Sequence, residues 1–280
     1  MVPPKVSTRS KSTPNNKRKT KKSEHSTKES SNNQGGINET SASSAVIPLE
    51  LHQSLLNIFK TSFTERLNSN FTILLQEIKQ HLYNRDFLKA FGQHDYLETY
   101  AARWSPSRAL GYLEIFNHVS DYIFMTEKQP SEKDSLHRIV CLGGGAGAEI
   151  VALAGFLNLF HREVDEGGES LQLKANSKIT KHSERRFEVV AVDIADWIPV
   201  VESLQTSITT APPLSKYAPA AVKDANAPLA MPNSFHVTFR QHDILSVDFS
   251  ELSSLLRDAN LVTLMFTLLL TAWSITSSCR

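Results

Sequence analysis

Gly143, Gly144, Gly145 and Gly147 stand together between an apolar run at 139–142 and a second apolar stretch that begins at Ala148. Glycines clustered there suit a strand that turns sharply into a helix. The turn needs positive φ, and a missing Cβ lets backbone approach a bound molecule. The first turn of such a helix points unpaired N–H groups at whatever sits above it. The implied chemistry is the cradling of a nucleotide-type cofactor.

Two acids sit where further strands should end, and they narrow the choice. Asp193-Ile194 closes the apolar run 189–192, and Asp243-Ile244 follows the alternating run 235–240. Gly143, Gly145 and Ala148 fit G-x-G-x-x-A, so a dinucleotide cofactor and an NAD(P)-dependent oxidoreductase are allowed. Three features favour S-adenosyl-L-methionine instead. Gly147 adds the overlapping G-x-G-x-G form, whose turn stays open beside a small zwitterion. Asp193 can accept both hydroxyls of a ribose. Asp243 can accept an adenine amino group while Ile244 lies against the ring, a third acid that a dinucleotide enzyme needs less. Asp193 lies 46 residues past Gly147, against about 20 in the usual arrangement; a looped-out insertion at 161–186 would absorb the excess. No residue type at a telling spacing identifies a catalytic base, and no cluster has metal-ligand spacing.

The elements that hold these residues alternate. Strands are expected at 139–142, 189–193, 235–239 (a half-exposed edge) and 260–267. The helix from Ala148 carries Ile150, Val151, Leu153, Leu157 and Phe160 inward. Asp196 is placed to cap a helix burying Trp197, Val200, Val201 and Leu204, and Ser250 to begin a short one. The stretch 211–234 contains five prolines and reads as loop. Strand–helix alternation of this kind predicts an α/β fold with a parallel, helix-covered sheet. Before it, at 49–128, apolar residues recur at three- and four-residue steps from Leu55 to Leu82, as in one or two amphipathic helices. Ser105 as N-cap and Pro106 at the first helical position predict a fresh start. The helix 107–124 would bury Leu110, Leu113, Phe116, Val119 and Tyr122.

Charge is unevenly spread. Residues 1–44 hold nine Lys/Arg against three Glu, whereas the remainder holds 21 basic and 26 acidic residues. Residues 1–45, nearly devoid of apolar side chains, are expected to be a disordered basic tail. Within it Lys17-Arg18-Lys19-Thr20-Lys21-Lys22 reads as a nuclear or nucleolar address or a phosphate-binding arm. A basic arm on a mildly acidic body points to a nucleic-acid partner. With two cysteines, Cys141 and Cys279, and no apolar leader, a reducing compartment is expected and a disulfide framework is not.

Four ordered segments carry a resemblance: 100–109 (YAARWSPSRA), 141–149 (CLGGGAGAE), 192–197 (VDIADW) and 261–267 (LVTLMFT). Over about 50–267 the chain resembles the fungal large-subunit (25S) rRNA uridine-N(3) methyltransferases. That resemblance implies a Rossmann-like, S-adenosylmethionine-dependent enzyme of ribosome biogenesis. It further implies nucleolar residence, ribosomal RNA or a pre-ribosomal particle as partner, and methyl transfer to a uridine ring nitrogen. It also suggests that Arg103, Trp104 and Arg108 contact RNA or cofactor: the arginines through phosphates or the methionine carboxylate, the indole through stacking on a base. The alternative is a plain helix start with a buried Trp.

The chain departs from that pattern at its end. Strand four should lead to a polar catalytic mouth and three more strands, but Leu268 to Arg280 is short, and no acidic, amide or basic side chain stands between Thr267 and Ser278. The expectation is therefore a sheet domain, 136–280, cut short after the fourth strand by a misread or truncated gene product. A tail anchor at 261–276 is the weaker explanation, being shorter than the ~20 residues a bilayer needs. Lacking that half, this chain could instead be a non-catalytic RNA-binding or scaffold protein.

Overall fold

The computed structural model describes residues 46–124, 136–169 and 185–265. The expected basic tail, and the stretch beyond Met265, lie outside the described residues. Among the described residues four parallel strands form the sheet: β1 (Leu136–Leu142), β2 (Arg186–Asp193), β3 (Phe235–Gln241) and β4 (Leu261–Thr263), in the order β3-β2-β1-β4. Ile139 pairs with Val189 on one side and with Leu261 on the other. The chain thus builds outward from β1 through β2 to β3, then returns to the opposite side of β1. In open sheets of this kind the crevice at the strand C-termini, where the order reverses, is where ligands bind.

Because strand side chains alternate, the sheet has two different faces. Ile139, Cys141, Val189 and Ala191 face the larger core, and Val140, Val190 and Val192 face a smaller one capped by Leu255. The larger core is shared with α7 (Ala148–Glu169), α8 (Ile198–Thr209) and the helices before β1; the smaller packs on α10 (Phe249–Leu256). Helices on both faces make this a Rossmann-like α/β arrangement. Ile150, Val151, Leu153 and Ala154 of α7 are completely buried, since α7 lies between the sheet and the helical layer. Each Leu, Ile or Phe so buried contributes roughly 1.5–3 kcal/mol.

The helical layer comprises α1 (Leu49–Ser62), α2 (Thr64–Asn68), α3 (Phe71–Tyr83), α4 (Phe87–Ala90), α5 (His94–His118) and α6 (Ser120–Phe124). Leu51, Leu55 and Phe59 belong to the same core as the sheet. Gly155 of α7 lets α1 close in, since a Cβ there would stand 2.8 Å from Leu55 Cδ1. Ser62 donates to Ser207 Oγ at 2.8 Å, fastening α1 to α8.

Several sequence expectations are corrected. Ser105 and Pro106 lie inside α5, which continues unbroken to His118. The Ser105 hydroxyl makes a tertiary bond, donating to Ala146 O at 2.6 Å, so it does not cap. Pro106 deprives the Ala102 carbonyl of its usual donor, a cost of about 3 kcal/mol in an isolated helix. Packing of Ala101, Ser105 and Ala109, all wholly buried, outweighs it. The chain breaks instead at Val119, and Tyr122 on α6 is 76% exposed rather than buried. Helix α7 extends to Glu169, so the first part of the supposed surface insertion is helical, and residues 170–184 lie outside the described residues. The proline-rich stretch contains a short helix, α9 (Ala220–Asp224). Asp248, not Ser250, caps α10, accepting from Glu251 N at 2.9 Å. Among the described residues β3 lies at the sheet edge, as expected, and its burial alternates over Phe235, His236 and Val237 but not beyond.

Candidate functional site

At the C-terminal ends of the strands lies a cavity of about 330 Å³, a size that suits a small-molecule cofactor. Its lining follows the sheet order. His242, Asp243, Ile244 and Leu245 come from the loop after β3, Val192, Asp193 and Ile194 from the tip of β2, Gly143, Ala146, Ala148 and Glu149 from the turn after β1, and Met265 from the segment after β4. The His242 amide donates to Asp193 O at 2.8 Å and the Gly143 amide to Val192 O at 2.7 Å, so neighbouring tips are tied together.

The four glycines do different jobs. Gly143 (φ 76°) and Gly147 (φ 81°) occupy the left-handed region, as the turn requires. Only Gly143 of the four lines the cavity. A Cβ on Gly145 would stand 2.1 Å from Trp197 Cδ1, on Gly147 2.1 Å from Leu204 Cδ1, and on Gly144 2.7 Å from Cys141 Cβ. At these three a side chain would collide with the protein's own core, so packing of the turn by itself requires glycine there.

Asp193 is held ready by the backbone. Its Oδ2 accepts from Gly145 N at 3.2 Å and its Oδ1 from Ala195 N at 3.5 Å. Burial pushes the carboxyl above its ordinary range, and the Gly145 and Ala195 amides oppose that rise. Asp243 Oδ1 accepts from Leu245 N at 3.0 Å, an Asx turn that fixes the carboxylate direction. Ile194 is 60% exposed beside the opening.

Sequence reasoning missed two sets of lining residues. Phe87, Phe91, Tyr100 and Tyr112 reach the cavity from the helical layer, beside Arg108, which the resemblance had already suggested as a contact. Phe91 packs edge-on against Tyr100 at 5.1 Å, and both stand 6.0 Å from Trp197, making an aromatic wall. The Arg108 guanidinium lies 5.5 Å from the Tyr100 ring centre and donates to its hydroxyl at 3.1 Å. The signal was present: Tyr100, Trp104, Arg108 and Tyr112 recur every fourth residue, one slowly drifting helix face. Of the three contacts suggested in that segment, Arg108 lines the cavity, whereas Arg103 and Trp104 do not. Trp104 packs on Tyr100 at 4.6 Å with Arg103 above its ring.

The second omission is Glu149. Sitting at the second position of α7, it is 3% exposed, and its Oε1 has no hydrogen-bond partner. Burial, aided by the nearby Asp193 charge, pushes its carboxyl up to about 8, against partial relief from Arg108. An acid with one bare carboxyl oxygen at the cavity's edge fits a ligand that carries positive charge, as a sulfonium-bearing amino acid does. Among the described residues no group of three His, Cys, Asp or Glu could hold a metal ion, and no helix is long and apolar enough to cross a membrane.

Residues 59–275 match the family model described as "Putative SAM-dependent methyltransferase". The chain belongs to this family. Over 223 residues, 77% of the chain, it is 34% identical to the 25S rRNA (uridine(2843)-N(3))-methyltransferase of Saccharomyces cerevisiae. That stretch covers 56% of the yeast protein, so the chain spans just over half the length of this curated relative. No solved structure matches. Family membership sets aside the dinucleotide alternative, and S-adenosylmethionine is the cofactor by which the family is described.

Proposed function

We propose that the chain binds S-adenosylmethionine in the cavity at the strand tips and directs its methyl group to N3 of a uridine in large-subunit ribosomal RNA. What supports the cofactor half is the ordered row of groups along the sheet: Asp243 and Ile244 for adenine, Asp193 with Ile194 for ribose, Gly143 and the start of α7 for the methionine end. The yeast relative's activity supports the substrate half. The basic run 17–22 would deliver the protein to the nucleolus, where such RNA is made.

When bound, the cofactor supplies an electrophilic methyl group on a sulfonium. The chain's part is alignment, since an in-line displacement depends chiefly on placing donor and acceptor. Asp193, already oriented by two amides, has lone pairs left for ribose hydroxyls. Gly143 lets backbone close on the ligand without a side chain intervening. The Phe91–Tyr100–Trp197 wall keeps water from the buried end, which strengthens every charge interaction there.

Incubating the chain with tritiated S-adenosylmethionine and large-subunit rRNA tests the reading. The expected result is label in RNA and a reverse-transcription stop at one uridine, because an N3 methyl blocks its pairing edge. Cofactor binding with no label in any uridine would overturn the substrate assignment.

A further inference from the structure

We propose that the Glu149 carboxylate accepts the α-ammonium of the cofactor's methionine end. This rests on the reading that the cavity holds S-adenosylmethionine. Position comes first: Glu149 lines the cavity beside Gly143 and Met265, at the crevice between β1 and β4 where the strand order reverses. With adenine at β3 and ribose at β2, the amino-acid end of the ligand must fall there. Solvation comes second. A carboxyl 3% exposed with a bare Oε1 leaves a buried polar atom unsatisfied, costly unless a partner arrives. The cofactor's ammonium is a triple donor of the right charge. Arg108, entering from α5, is the opposite charge in the same cavity.

The groups that act on Glu149 come from every packed element. Arg108 and Tyr112 lie on α5, Cys141 on β1 and Asp193 on β2, and the Met265 backbone N–H follows β4. Without ligand, burial above all and the Asp193 charge raise the carboxyl to about 8 against the lowering effect of Arg108 and the Met265 N–H, so it holds a proton at neutral pH. An ammonium at Oε1 favours the anion. Binding at pH 7 should therefore move the Glu149 proton to buffer while the ligand keeps its own charge.

Calorimetric titration with S-adenosylhomocysteine and with 5′-methylthioadenosine tests this. The second ligand keeps adenine, ribose and sulfur but lacks the ammonium and carboxylate. Glu149→Gln should weaken S-adenosylhomocysteine binding about tenfold or more, the size expected of one charge-assisted hydrogen bond. Its affinity for 5′-methylthioadenosine should stay within about twofold, below what loss of any one such bond would cost. Equal loss for both ligands, or no loss for either, would overturn the assignment. In the unmutated protein, titrations at pH 7 in buffers of different ionisation enthalpy should show close to one proton released with S-adenosylhomocysteine and none with 5′-methylthioadenosine. No release with either also refutes it, whether or not the variant folds. Should the unmutated protein bind neither nucleoside, the cavity reading itself fails and takes this inference with it.

Discussion

At the β1–β4 end of the cavity Glu149 is 3% exposed, whereas at the β3 end Leu245, beside Asp243, is 58% exposed. The first end is walled by Tyr100 and Tyr112 of α5 and by the start of α7. The second is a loop whose acid is oriented only by a local turn. Charge placed in the first end acts through a poorly screened medium, while charge in the second competes with water. One cavity thus joins a region where electrostatics decides affinity to one where shape and single hydrogen bonds decide it.

Three perturbations sharpen or break that contrast. Asp193 stands where the two regions meet, so Asp193→Ala should be the most damaging. Losing two charge-assisted bonds to ribose would cost roughly 3–5 kcal/mol, more than a hundredfold in S-adenosylhomocysteine affinity. Unchanged affinity in a titration of this variant would remove Asp193 from the site.

Next in size is a pH effect on the ligand-free protein. Glu149 rises from an ordinary 4.5 to about 8 on folding, so the folded state holds its proton more tightly than the unfolded state. Its contribution to stability is complete below about pH 4.5, declines through the interval, and is gone above about 8. By linkage the loss is on the order of 3–5 kcal/mol. Urea melts across pH 5–9 should show stability falling more steeply in the unmutated protein than in Glu149→Gln. Parallel curves would mean that the acid is not buried as described. Asp193 shifts in the same direction and remains in both proteins, so the difference isolates Glu149.

The smallest effect should come from the exposed end. Asp243→Ala removes one acceptor from a partly solvated loop, worth about 1 kcal/mol or roughly fivefold in affinity. If Asp243 meets the base as proposed, the loss should be equal for S-adenosylhomocysteine and 5′-methylthioadenosine. A loss confined to one of them would place Asp243 elsewhere.

The parts of this site that were legible in the sequence are those governed by local backbone rules. The strand tips at Gly143 and Asp193 stood out because buried parallel strands read as unbroken apolar runs and their ends as a change of residue type, and the tip at Asp243 because it follows a period-two alternation. Helix α5 was misread for the same reason in reverse. Ser105-Pro106 carries a strong local start signal, and only the distant carbonyl of Ala146 shows why the hydroxyl is spent otherwise. In sequence Glu149 has nothing to set it apart from any first-turn acid, which the helix dipole favours. Its burial comes from α5 and the segment after β4, elements separated from it by tens of residues. The aromatic wall was legible only as a four-residue recurrence, which by itself says nothing about the direction a helix faces.

The strand order also bears on how the chain comes into being. Strand β1 takes β2 as one neighbour, but its other flank waits for Asn260, whose side chain and amide bond to Arg138 across 122 residues. At translation speeds of 5–20 residues per second that interval is roughly 6–25 s. For so long the newborn strand presents an unpaired apolar margin, the kind of surface that invites mispairing with another nascent chain. Shielding by a chaperone during this window would matter more to this protein than its final stability suggests.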